Sequence, residues 1–412
     1  MKRIFLIICL YMGILTSIAY AKSDSSQIKA DVLPYGMSST IDLMTTTSMY
    51  EQPDNKLKSP AALSPQSVKV LRFEYESRLE PDGYSWLQIQ TSWLGKMWIK
   101  LDNTQIGEIQ PLSIDVELAS DTPLYDRASF ESANGATLSP QKVHVKRAFI
   151  SPSGFNAFEI ETSWLGDQWL IQPELKGNEG DGKRPFHSAI SPDYGDLMKV
   201  NRIKLLKLAN QTFIQASLVI QEGAWNAGRI SYGTDERWVY GELVFWNKEG
   251  DTITRIPYSS RIRAGESGSV NLLLALPEGT DLSKTEWVTL NRTFPLYFGL
   301  PTPPGGNLQD QDGKVRLGMN RVQHGEGFSV GSADIQGKVP GTHAYWLTLT
   351  FYDQDDKVLG TAKSHLILIG PSIGDDNVPN GEGNWHQATL IGDGDWTNYQ
   401  RIAVRVDSIS VD

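Results

Sequence analysis

The feature that most limits what this chain can fold into is that its N-terminal part repeats itself. Leu63-Ser64-Pro65-Gln66-Ser67-Val68-Lys69-Val70 returns 75 positions later as Leu138-Ser139-Pro140-Gln141-Lys142-Val143-His144-Val145. Ile89-Gln90-Thr91-Ser92-Trp93-Leu94-Gly95 returns 71 positions later as Ile160-Glu161-Thr162-Ser163-Trp164-Leu165-Gly166, and a second tryptophan follows each copy, Trp98 and Trp169. Upstream, Met49-Tyr50 matches Leu124-Tyr125, again 75 positions apart. The change of offset is a four-residue deletion between the blocks, of the kind a loop absorbs. Self-similarity at this spacing means two copies of one structural unit.

Each copy reads as β structure. Leu87-Gln88-Ile89-Gln90-Thr91 and Phe158-Glu159-Ile160-Glu161-Thr162 alternate apolar and polar residues, as a half-buried strand requires. Ser-Trp-Leu-Gly then breaks the alternation and ends on a residue able to take positive φ, which predicts a turn. Trp98-Ile99 and Trp169-Leu170 open the next strand. Pro65 and Pro140 precede Val-x-Val segments, where a missing N–H does no harm. Units this small fit a compact, partly open barrel.

The pattern Trp86-x-x-Ile89-x-Thr91 followed by Gly95-x-x-Trp98-Ile99 resembles the bacterial SH3-like domain. So does the early Leu124-Tyr125, or Met49-Tyr50 in the first copy, ahead of a turn. The resemblance covers about 40–110 and 113–174. Members of that family bind cell-wall peptidoglycan or wall-attached polymers, so it implies a cell-wall peptide or glycan, or an envelope protein, as partner. One departure stands out: Trp86 is replaced by Ala157 in the second copy. The SH3-like modules that grip teichoic acids are strongly basic. Here 36–110 holds 7 basic and 9 acidic residues, and 111–175 holds 4 and 9, so a peptide, glycan or protein is expected over an anionic polymer.

Six aromatic residues are candidate ligand contacts: Trp93, Trp164, Tyr50, Tyr125, Trp98 and Trp169. Trp98 and Trp169 have a competing role in closing the small core, where each would bury about 150–250 Å². Trp93 and Trp164 sit beside glycine at a turn, where exposure and packing are both open. Tyr50 and Tyr125 could line a groove with them.

The rest of the chain predicts two further β units. The polar run Gly177-Asn178-Glu179-Gly180-Asp181-Gly182 reads as a linker, and Pro301-Thr302-Pro303-Pro304-Gly305-Gly306 as a second. Between and after them lie stretches of the size usual for a β-sandwich. Leu243-Val244-Phe245-Trp246 matches Leu349-Thr350-Phe351-Tyr352, 106 positions on, and Glu286–Leu290 agrees in character with Arg401–Val406. The segment Thr348–Asp353 through Lys357–Thr361 resembles bacterial extracellular FxLYD-type domains, which are immunoglobulin-like. The expected fold is therefore all-β: two tandem SH3-like small barrels at 36–110 and 111–175, then two immunoglobulin-like β-sandwiches at 193–300 and 314–412. Linkers are expected at 176–192 and 301–313, and the barrels are expected to stand as independent units.

The N-terminus has the form of a secretory signal peptide. Lys2 and Arg3 precede an apolar run from Ile4 to Ala19, and Ala19-Tyr20-Ala21 supplies a small-x-small end, so cleavage is expected after Ala21. The competing reading is an uncleaved anchor, but 16 apolar positions fall short of the about 20 a spanning helix needs. With 1–21 removed, no membrane insertion is expected, and the protein is expected to be secreted or held at the cell envelope. Cys9 is the only cysteine, so the mature chain has no disulfide and no thiolate nucleophile. With 48 acidic against 38 basic residues, nucleic acid is excluded as a partner, since its binding rests on Lys and Arg at phosphates.

No catalytic or metal constellation is visible. His144, His187, His324, His343, His365 and His386 are scattered without metal-ligand spacing. There is no Gly-x-Ser-x-Gly elbow, phosphate loop or dinucleotide fingerprint. Asp310-Gln311-Asp312-Gly313, Asp353-Gln354-Asp355-Asp356 and Asp393-Gly394-Asp395 read as hairpin-turn chemistry, because none continues into spaced calcium ligands. The expectation is a non-catalytic binding protein without cofactor or metal. The alternative is a secreted wall-active hydrolase whose two carboxylates meet only in the fold.

Overall fold

The computed structural model describes residues 39–75, 84–177, 188–192, 195–221, 236–263, 268–291, 308–325, 327–373 and 379–411. The expected signal peptide, Cys9, His187 and most of both expected linkers lie outside these. Within them the protein is all-β, with three single-turn 3-10 segments and no α-helix. No helix among the described residues is long and apolar enough to cross a membrane.

The first repeat forms β1 (Thr40–Asp42), β2 (Thr47–Tyr50), β3 (Lys58–Leu63), β4 (Ser67–Tyr75), β5 (Tyr84–Thr91) and β6 (Gly95–Asp102). They make one six-stranded sheet in the order β1-β4-β5-β6-β2-β3. The second repeat forms β7 (Glu108–Glu117), β8 (Thr122–Tyr125), β9 (Ala133–Leu138), β10 (Lys142–Ile150), β11 (Asn156–Thr162) and β12 (Gly166–Ile171). Its order is the same, β7-β10-β11-β12-β8-β9. Even the irregularities correspond. The β4–β5 ladder slips between Val70 and Arg72, and the β10–β11 ladder between Val145 and Arg147. Period-two alternation sends Leu87, Ile89 and Ile99 into the first core and Phe158, Ile160 and Leu170 into the second.

The third unit comprises β13 (Ser188–Ser191), β14 (Gly195–Leu208), β15 (Gln211–Ile220), β16 (Glu236–Trp246), β17 (Thr252–Arg263), β18 (Gly268–Ala275) and β19 (Trp287–Asn291). The fourth comprises β20 (Leu308–Gln309), β21 (Val315–His324), β22 (Phe328–Gly337), β23 (Thr342–Tyr352), β24 (Val358–Ile369), β27 (Trp385–Asp393) and β28 (Arg401–Val411), with the small hairpin β25 (Ser372–Ile373) and β26 (Pro379–Asn380). Each is a run of seven strands folded into two layers around its own core. In the third unit β17-β16-β19 faces β13-β14-β15-β18, and among the described residues the layers are joined by the register pair Ile190 with Thr289. In the fourth unit β24-β23-β28 faces β20-β21-β22-β27, joined through Lys363 and Ile391.

The weak 106-residue echo places β16 on β23, and β19 corresponds to β28. With those two pairs matched, both layers of the third unit reappear in the fourth with the same strand order. Only the joined seam differs. The second half of the chain, like the first, contains one topology twice.

The units do not stand apart. The second core runs without a break onto the third unit, because Leu206, Phe213 and Leu273 pack into it and Phe158 meets Phe213 edge to face at 5.6 Å. Asn156 donates to Leu273 O at 2.7 Å, and Gln172 to Ser259 O at 2.8 Å. The Gln215 amide clasps the main chain of Leu175 on both sides, accepting from its N–H at 2.8 Å and donating to its carbonyl at 3.0 Å. Gly154 has φ +79, and a Cβ there would lie 2.0 Å from Pro257 O. The second barrel is thus not the independent module the sequence predicts, since its core is completed from outside. Between the third and fourth units, Trp246 and Trp287 pack with Phe328, Val330 and Ile391.

Candidate functional site

The two Trp-Leu turns are built identically. In the first, Thr91 Oγ1 donates to Gly95 O at 2.9 Å and accepts from Leu94 N at 3.0 Å, while Gly95 takes φ +71. In the second, Thr162 Oγ1 donates to Gly166 O at 3.0 Å and accepts from Leu165 N at 3.0 Å, with Gly166 at φ +70. A threonine hydroxyl that closes the loop and a glycine that accepts left-handed backbone are all the turn demands. The residues between them are structurally unconstrained. They are nevertheless Trp93 and Leu94, exposed by 59% and 42%, and Trp164 and Leu165, exposed by 58% and 42%. Covering one such tryptophan would remove about 100–150 Å² from water, on the order of 3 kcal/mol before the cost of association.

The other four candidate residues lie elsewhere, on the outer faces of the two sheets. Tyr50 is opposite Trp98 across β2 and β6, and Tyr125 is opposite Trp169 across β8 and β12. Trp98 and Trp169 are buried, but on the face away from each barrel core. Neither belongs to the clusters around Leu87 and Ile160 that form the two inner cores.

What buries these tryptophans differs between the copies. In the first unit Tyr50 meets Trp86 edge to face at 4.9 Å, and the Arg72 guanidinium stands 5.9 Å over Trp98. The Lys100 ammonium lies 5.0 Å from the Tyr84 ring and 5.5 Å from that of Trp86. Arg72 is also paired with Glu74 at 2.8 Å. Tyr84 leaves 47% of its surface in water. This polar, cation-covered aromatic face was missed in Tyr84, Arg72 and Lys100, although they alternate with core positions on their strands. In the second unit the face is a hydrophobic cluster of Phe149, Phe155, Ala157, Trp169 and Ile171, with Phe130 and Met44 packed against it. Arg147 and Glu159 form a two-pronged pair at 2.5 and 2.6 Å beside it, which raises the Arg147 pKa further.

The described histidines lie in separate surroundings. His144 is paired with Asp115 at 2.8 Å, His343 with Pro340 O at 2.7 Å, and His324 with Ser329 at 3.1 Å, while His365 stacks on Trp346 at 4.1 Å. Among the described residues no group of three or more His, Cys, Asp or Glu side chains is placed to hold a metal ion. The acidic turns use their carboxylates on their own backbones. Asp310 accepts from Val315 N at 2.7 Å, Asp353 from Asp355 N and Lys357 N at 2.9 Å, and Asp395 from Thr397 N at 3.1 Å.

The fold and these surfaces define an all-β protein of two duplicated units that displays preformed aromatic tips. Compared with known proteins, the chain matches no family model and no curated relative.

Proposed function

We propose that the protein is exported and acts at the bacterial cell envelope as a non-catalytic binding or scaffold protein. Its two repeats, read as SH3-like barrels, engage a cell-wall peptide or glycan, or an envelope protein. The observation that carries this reading is the pair of hairpin tips. Each holds an exposed tryptophan and leucine on a rigid loop that does not need them for its own geometry. Exposed large apolar side chains serve contact with something outside the chain when they are not scattered singly. Two copies on one molecule raise avidity wherever both reach the same target. The acidic surface supports an uncharged or cationic target over an anionic polymer.

The test is sedimentation of the mature chain, from Lys22 on, with purified cell walls. Cutting the chain after residue 175 is unsuitable, because it would strip the second core of Leu206, Phe213 and Leu273. The Trp93→Ala, Trp164→Ala double variant should melt like the parent yet lose most wall association. If it sediments with walls as fully as the parent, the tips are not the binding surface.

A further inference from the structure

We infer that the outward face of the fourth unit carries a second binding site, separate from the tryptophan tips, for a neutral glycan laid flat across β21, β22 and β27. The ladders fix which residues share this face. Arg316, Gln336 and Trp385 form one row across the three strands, and Gly318, Asp334 and Gln387 form the next. The core residues Leu317, Ile335 and Leu390 point the other way. Further along the same face Phe328, Val330 and Ile391 pack against Trp246 and Trp287 of the third unit. The two rows lie beyond that contact.

Trp385 is 38% exposed although it belongs to a paired strand. The chain leading into it is fixed on both sides. Gln336 Nε2 donates to Gly383 O at 2.6 Å, and Asn384 N donates to Ile369 O at 2.9 Å. The indole is therefore presented by the sheet and is in place before any ligand arrives. A pyranose ring has an apolar C–H face, and an aromatic ring is the side chain best shaped to cover it.

The polar groups beside the ring have capacity left. Among the described residues the Gln387 side-chain amide has no hydrogen-bond partner. Asp334 is engaged only through Oδ2, which accepts from Asn320 Nδ2 at 3.1 Å. Arg316 comes no closer than 3.9 Å to Glu382. An amide, a carboxylate and a guanidinium offer planar donors and acceptors to ring hydroxyls. Neighbouring strands place them about 4.8 Å apart, close to the width of one sugar ring.

Two further observations select against other occupants. An extended peptide adds to an open strand edge, but β22, the central strand of the face, is paired on both sides over 329–336. The charges also cancel. Arg316 and Lys338 are matched by Asp334 and Glu382, with Glu382 3.9 Å and 3.8 Å from the two cations. A face without net charge draws neither a polyanion nor a polycation. What remains is an uncharged ligand with one apolar face and a rim of hydroxyls.

The experiment is isothermal titration of the full mature chain with the trimers of N-acetylglucosamine and of glucose, and with trigalacturonate as the anionic control. At least one neutral trimer should bind saturably, and trigalacturonate about tenfold more weakly or worse. Trp385→Ala should weaken the neutral trimer about tenfold or more. Gln387→Ala, which trims a half-buried amide and carries the test if Trp385→Ala misfolds, should weaken it about threefold. The Trp93→Ala, Trp164→Ala variant should leave trimer affinity unchanged, which separates this site from wall binding at the tips. No saturable heat with either neutral trimer, equal affinity for trigalacturonate, or an affinity unmoved in both Trp385→Ala and Gln387→Ala would each overturn the inference. So would a concentration-dependent dimer that Trp385→Ala abolishes, since the face would then belong to a second copy of the chain.

Discussion

The first and second repeats share a strand order, a ladder slip and an identical exposed hairpin, yet their outer faces have opposite fates. The difference lies in a few outward positions. Glu74, Tyr84, Trp86 and Lys100 of the first unit stand where the second has Phe149, Phe155, Ala157 and Ile171. In the first unit the face carries charge over its aromatic rings, with Trp86 and Trp98 buried beneath it and Tyr84 half exposed. In the second it is apolar, with a small alanine where the first has tryptophan, and is covered by Phe130 and Met44. The inner positions form a core in both copies, but in the second they also meet Leu206, Phe213 and Leu273 of the third unit. Duplication preserved the frame; the outward substitutions let the second copy receive Met44 of the first, while its inner core is the side that meets the third unit.

The comparison breaks first at the shared core. Phe158 is fully buried against Phe213 of the third unit, so Phe158→Ala should cost about 3–5 kcal/mol in chemical denaturation. The counterpart in the first unit, Leu87→Ala, should cost about 2–5 kcal/mol and leave the second and third units folded. A single joint transition for both variants would mean the first unit is not separable.

Gly154→Ala asks more of one contact. The added Cβ would meet Pro257 main chain at a left-handed φ, so a loss of about 1–3 kcal/mol is expected, together with faster amide exchange along β11 and β18. Gln215→Ala leaves the Leu175 N–H and carbonyl without their side-chain partner, and should cost about 1–3 kcal/mol. A neutral result there would mean that water replaces the clasp. Lys100→Ala should cost only about 0.5–1 kcal/mol, since its nearer ring, Tyr84, is half exposed. Smallest of all, Trp93→Ala and Trp164→Ala should each change stability by about 0.5 kcal/mol or less, as befits tips that pack on nothing.

Much of this was legible in the chain. Alternation in Leu87–Thr91 and Phe158–Thr162 named the strands and their inward residues, because the period of two follows from backbone geometry alone. The Ser-Trp-Leu-Gly turn was equally plain, but the threonine hydroxyl that closes each tip shows only in the folded chain. The faint match of Leu243–Trp246 to Leu349–Tyr352 proved to mark a shared topology, carried by strand placement more than by residue identity. Ala157 was recognised as a departure from Trp86, but nothing near it in sequence shows that Phe130 and Met44 fill the space.

Strand positions, duplication and the turn chemistry of the tips were thus determined by the sequence itself, through interactions that reach only a few residues or one ladder away. Which tryptophans remain in water was decided by tertiary structure, as was where Trp98 and Trp169 are buried. So was the joining of the second barrel to the third unit. Those outcomes depend on surfaces brought together from positions as far apart as Asn156 and Leu273. A local pattern of apolar and polar residues says that a face will be covered, but its partner is chosen only when the whole chain packs.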